Sequence, residues 1–131
     1  MRIGALASAV GTTPRTIRYY EEIGLLAPSS RPVGAHREYL ESDVERLREI
    51  LRLKALLGLS LDELREVIAL EDARVRRRRA WAQAPDPRLI DEASAHVDRL
   101  LELVGRRREE LAAFESELLE RRERILAAKV G

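Results

Sequence analysis

Apolar positions along this chain recur at helical spacing in almost every segment, and five helices follow from that pattern. Ile3 to Val10 is a short apolar stretch closed by Gly11. The next helix opens at Thr13, whose hydroxyl suits an N-cap, with Pro14 at the first helical position. Ile17, Tyr20 and Ile23 then form one apolar stripe, leaving Arg15, Thr16, Arg18 and Tyr19 on the other side. Ser42-Asp43-Val44-Glu45 reads as a capping box, and the helix it opens carries Val44, Leu47, Ile50 and Leu51 on its inner phases before ending near Gly58. Ser60 and Glu63 repeat the box ahead of Leu61, Leu64, Val67 and Ile68. Between the second and third helices, Pro28, Pro32 and Gly34 exclude a long helix. Val33 and Tyr39 around a Gly-Ala turn predict a small β-hairpin there.

The longest pattern comes last. From Leu89 to Lys129 there is no proline and one glycine, Gly105. Ile90, Ala93, Val97, Leu100, Val104, Leu111, Phe114, Leu118, Ile125 and Ala128 hold the a and d positions of one heptad register, interrupted only by Arg107 and Arg121. Such a helix is about 60 Å long at 1.5 Å per residue. Too little protein remains to cover it, so its seam is expected to face a second copy. Arginines at core positions disfavour a parallel zipper, where each meets its twin, and favour antiparallel or staggered pairing, where each meets carboxylates. Residues 71–88 are less regular. The basic run at Arg74 and Arg76 to Arg79 reads as a solvated face, or as a connector touching phosphate or a partner. Trp81 reads as a packing anchor, with ligand stacking as the alternative.

The first two helices carry the candidate chemistry. Ala7, Gly11 and Ile17 supply a small contact, a turn glycine and a buried anchor, the spacing of two helices crossing through a tight turn. The second is then a recognition helix whose Arg, Thr and Tyr face suits phosphates and base edges. In a wing built from the hairpin, Arg31, His36 and Arg37 would project towards the same partner; a plain surface loop with solvated arginines is the alternative. Net charge is only +1, so overall basicity gives no argument for nucleic acid. The distribution leans the right way, with a surplus of two positive charges in residues 1–56 and of two negative ones in 89–131. The absence of cysteine removes disulfides, thiolate metal sites and thiol redox sensing. His96 reads as an exposed helix residue rather than a metal ligand, since no second His or Cys lies near it. No apolar run approaches a membrane span, and no secretory leader is expected, so a cytoplasmic protein is the default. No Ser-His-Asp grouping or phosphate-cradling glycine loop points to an enzyme.

The string Thr16-Ile17-Arg18-Tyr19-Tyr20-Glu21-Glu22-Ile23-Gly24-Leu25-Leu26, followed by Pro28, Arg31, Gly34, Arg37 and Tyr39, resembles the signature of the MerR family of bacterial transcription regulators over residues 2 to about 70. The resemblance implies a mainly α protein: a winged helix-turn-helix DNA-binding domain over 1–70 with a small β-hairpin wing, a connector over 71–88, and an antiparallel coiled-coil dimerisation helix over 89–129. It implies a homodimer on a pseudo-palindromic promoter operator, bending and untwisting the DNA, with RNA polymerase at the promoter as a further contact and no cofactor or metal. Carried onto this sequence, Arg15, Thr16, Arg18 and Tyr19 belong to the recognition helix and Arg31, His36 and Arg37 to the wing. Tyr20 is divided between packing, from its phase, and DNA, from the family's tyrosine pair. The dimer seam comprises Ile90, Val97, Leu100, Val104, Leu111, Phe114, Leu118 and Ile125. The wing departs from the family's Gly-Gly-Tyr-Arg, having Gly34-Ala35-His36-Arg37. With the sequence ending at Gly131, neither a drug-binding domain nor distal cysteines are expected, and the resemblance supplies no inducer. A coiled-coil protein-interaction module and an architectural DNA-binding protein without a single operator are the rival readings.

Overall fold

The computed structural model describes residues 1–27 and 38–130. Their regular structure is helical: α1 (Ile3–Val10), α2 (Pro14–Glu22), α3 (Glu41–Leu57), α4 (Leu61–Gln83) and α5 (Pro87–Val130). No strand occurs among the described residues. The expected hairpin, with Arg31, His36 and Arg37, lies outside them. The chain divides into two compact units, Met1–Asp72 and Ala73–Gly131, so that α4 begins in the first and ends in the second.

The core of the first unit is built from one face of each of its helices. Leu6 and Ala7 of α1, Ile17 and Tyr20 of α2, Val44, Leu47, Ile50, Leu53 and Leu57 of α3, and Leu64, Val67 and Ile68 of α4 are all buried. Helix α1 packs against both α2 and α3, and it stops where Gly11 takes φ +76°. A side chain there would force a left-handed backbone that only glycine adopts without penalty. The cap amide of Gly11 returns to the carbonyl of Ala7, as does that of Thr12 at 3.0 Å. The chain thereby reverses tightly into Thr13, the cap of α2.

Two helix starts were read from sequence, and they fare differently. The Ser60 box is present: Ser60 Oγ accepts from the Glu63 amide at 3.2 Å, and Glu63 Oε1 accepts from the Ser60 amide at 2.9 Å. The Ser42–Glu45 box is not. Helix α3 begins one residue earlier, with Leu40 as its cap residue. Asp43, not Glu45, reaches back to accept from the Leu40 amide at 2.8 Å. The reason is non-local. The amide of Tyr39 donates to the carbonyl of Met1 at 2.7 Å, which fixes where the chain turns into the helix.

In the second unit α4 runs on as helix through most of the 71–88 segment, as far as Gln83. A short break follows, and Asp86 caps α5: its Oδ1 accepts from the Arg88 amide at 3.0 Å, with Pro87 at the first helical position. His96 corrects its sequence reading, being only 4% exposed. Its Nδ1 lies 3.0 Å from Nη2 of Arg77 on α4. A guanidinium only donates, so Nδ1 accepts and the ring is neutral. The expected heptad seam is also divided. His96 and Leu103 are buried and Ala93 and Leu100 half-buried in the single chain, whereas Ile90, Val97, Val104, Leu111, Phe114, Leu118 and Ile125 are exposed.

Candidate nucleic-acid interface

The surface that α2 turns outwards is set by three local devices. Thr13 Oγ1 accepts from the Thr16 amide at 3.2 Å and donates to Thr16 Oγ1 at 3.1 Å, which starts the helix and fixes the Thr16 hydroxyl at its third position. Ile17, fully buried, and Tyr20, 2% exposed, anchor the opposite face. At the far end the chain folds back, Leu25 and Leu26 donating to the carbonyl of Tyr20 at 2.9 and 3.2 Å, while Gly24 takes φ +80°.

With the inner face held, Arg15, Thr16, Arg18 and Tyr19 line a single shallow depression on the surface, joined by Glu22. Four of the residues named from sequence are thus brought together. Two guanidinium groups, a hydroxyl, a phenol and a carboxylate within two turns offer donors for phosphate and for guanine, and one acceptor for an amino group such as that of cytosine. Glu22 was missed by sequence reasoning, although its spacing from Arg15, Arg18 and Tyr19 puts it on the same face. Tyr20 does not belong to this surface. Its ring is packed in the core, with its centroid 6.3 Å from that of Tyr19, and its hydroxyl has no hydrogen-bond partner among the described residues. The helical phase decided its place: Tyr20 follows Ile17 by three residues, and Tyr19 does not.

The recognition surface is braced from behind. Arg46 of α3 donates from Nε to the carbonyl of Leu25 at 3.0 Å and forms a two-pronged pair with Asp72 of α4, from Nη1 to Oδ1 and from Nη2 to Oδ2, the latter at 3.0 Å. Tyr39 donates its hydroxyl to Glu21 Oε1 on α2 at 2.9 Å. Both ends of the segment between α2 and α3 are therefore tied to the helical core, at Leu25 and at Tyr39. Neither tie was anticipated, because each joins residues at least 18 apart in sequence.

The profile of the MerR HTH family regulatory protein matches residues 1–71, the span that contains this surface and its braces. The chain belongs to the MerR family. Its likeness to known members extends well beyond the matched domain. It is 35% identical to an HTH-type transcriptional regulator, a ZntR homolog of Haemophilus influenzae, over 97% of this chain and 84% of that protein. With the HTH-type transcriptional regulator YfmP of Bacillus subtilis it shares 32% identity over 88% of this chain and 84% of the other. The crystal structure of the transcription regulator PbrR691 from Ralstonia metallidurans, a complex with lead(II), superposes with a TM-score of 0.56. It is 32% identical and covers 92% of this chain and 84% of that one. The MerR-family chain described here is a transcription regulator, a non-enzymatic role, and DNA is its partner. No helix among its described residues is long and apolar enough to cross a membrane.

Proposed function

We propose that this MerR-family chain binds a pseudo-palindromic promoter operator as a homodimer and distorts the DNA between the two half-sites. Helix α2 enters the major groove, where Arg15, Arg18 and Tyr19 reach base edges and backbone and Thr16 sits against a phosphate. Arg31, His36 and Arg37 of the wing hold the flanking phosphates. The division of labour follows the chain, with DNA binding in 1–70, a connector over 71–88 and dimerisation over 89–129. The observation that carries the reading is the convergence of Arg15, Thr16, Arg18 and Tyr19 on one exposed face of a helix braced on its other side.

The dimer is supported by α5. Its last twenty described residues, 111–130, are exposed along their whole length, including Leu111, Phe114, Leu118 and Ile125. An apolar stripe of this length on a helix of about 66 Å calls for a partner helix. Together with Ile90, Val97, Leu100 and Val104 it forms the seam of an antiparallel coiled coil. Leu100, half-covered already, lies at the seam's edge. A rigid pair of helices fixes the separation of the two recognition helices, so DNA with mismatched half-site spacing bends or untwists to meet both, at roughly 1–6 kcal/mol. RNA polymerase then uses the reshaped promoter, in the cytoplasm and on the nucleoid.

No metal enters this proposal. The sequence has no cysteine, and no group of three or more His, Cys, Asp and Glu side chains among the described residues is arranged to hold one. The donor set does not fit a soft-metal centre.

The test is footprinting on DNA upstream of the protein's own and adjacent genes, repeated with one base pair inserted or deleted at the dyad. Each such change rotates one half-site by about 34°. Sharply weakened binding, with central hypersensitivity to a minor-groove cleavage reagent on the native spacing, is the expected result. Equal affinity across the spacer series without hypersensitivity would refute the rigid dimer.

A further inference from the structure

A cleft of about 400 Å³ lies in the second unit, between the last turns of α4 and the first turn of α5. On one wall stand Arg74, Arg77, Arg78 and Trp81, spaced so that they share a single face of α4. Leu89 and Ile90 of α5 form the other wall. No carboxylate lines it. We propose that this cleft binds a small aromatic carboxylate.

Three features argue for that chemistry. The walls combine three guanidinium groups with an indole and two aliphatic side chains, so an inorganic anion would leave the apolar half unused and a neutral hydrophobe would leave the cationic half unpaired. The volume lies within the range of small-molecule sites. One of the guanidinium groups is also pre-positioned. Arg77 is hydrogen-bonded at 3.0 Å to His96, a ring 96% removed from solvent by its 4% exposure, so little side-chain freedom remains to be lost there when an anion arrives. Trp81, 43% exposed, presents its indole for stacking. The basic run and Trp81, which the DNA-binding reading leaves unused, thereby acquire a common role. The inference concerns binding alone and does not depend on the operator reading.

Trp81 is the chain's only tryptophan, so its emission reports on the cleft directly. The full-length protein is titrated with 4-phenylbutyrate, with neutral 4-phenylbutyramide and with inorganic phosphate. A saturable change in emission with the carboxylate alone is expected, and Arg78→Gln should weaken it at least about tenfold, the effect of one charge-assisted hydrogen bond. Circular dichroism of that variant should match the parent, since Arg78 is exposed. Absence of a saturable change, equal binding of the amide, equal binding of phosphate or an unaffected Arg78→Gln variant would each overturn the proposal. So would an indole already shielded from acrylamide in the pure protein, because a second copy would then occupy the cleft.

Discussion

Replacing Arg46 by Met keeps the aliphatic stem and removes the guanidinium that joins the turn after α2 to α4. Three hydrogen bonds go with it: one to the Leu25 carbonyl and two to Asp72. In a fully protected setting a bond to a charged group contributes about 1.5–3 kcal/mol. Here the Arg46 side chain is 32% and that of Asp72 42% exposed, so the ion pair is discounted to about 1 kcal/mol for solvent screening. The Leu25 carbonyl adds about another 1 kcal/mol, for a total near 2 kcal/mol. Urea denaturation followed by circular dichroism measures this as a shift in midpoint at unchanged slope. A double-mutant cycle with Asp72→Asn isolates the pair, which should couple by about 1 kcal/mol, while Arg46→Lys should recover less than half of the loss because an ammonium cannot make the fork. The recognition helix should also loosen at its Leu25 end, lowering operator affinity in the folded variant. An Arg46→Met protein within about 0.5 kcal/mol of the parent, or a cycle without coupling, would refute the bracing.

Other perturbations test separate parts of the account. Gly11→Ala should cost about 1–2 kcal/mol by urea denaturation through backbone strain alone, because an added Cβ meets nothing within 4 Å. Leu111→Ala with Phe114→Ala should abolish the dimer in light scattering, at about 2–5 kcal/mol for each side chain buried at the seam, while leaving the helicity of the first unit unchanged. Arg88, through its guanidinium and then its amide, holds the Asp86 carboxyl below the usual carboxylate range. A depressed folded value means that the cap is intact above the ordinary pKa of about 4 and is lost as pH falls through the lower folded one. Backbone chemical shifts of residues 87–90 should report fraying there, and Asp86→Asn, which caps without titrating, should flatten the dependence.

The helices of the first unit were legible because their signals are local. Thr13-Pro14 and Ser60-Glu63 act within one turn, and the phases of Ile17 and Tyr20 or of Val44, Leu47 and Ile50 need only the helical period. Where the reading slipped, a distant partner had decided the outcome. The choice of Asp43 over Glu45 as the α3 cap depends on Tyr39 meeting Met1, 38 residues away. His96 is buried because Arg77 comes to it from the preceding helix, whereas its own neighbours Ala95 and Val97 are exposed. Arg46 carries no local sign of its role: along α3 it is one more charged residue between Val44 and Leu47. The recognition face itself was readable but incomplete, since attention to basic and aromatic side chains passed over Glu22. The heptad register of α5 gave the helix and its length. It could not show that the face through His96 and Leu103 would be covered within the chain while the neighbouring stripe stayed exposed.

Operator binding by an Arg15→Ala, Arg18→Ala double variant tests the central claim most directly. Both side chains are exposed on α2, so circular dichroism and the dimer should be unaffected. If each reads a base edge, their loss should cost about 1–3 kcal/mol apiece, at least about a thirtyfold drop in affinity for the footprinted operator, with a much smaller drop on unrelated DNA of equal length and salt. A folded double variant that binds its operator as tightly as the parent would contradict the account, because the outer face of α2 would then not be what reads the DNA.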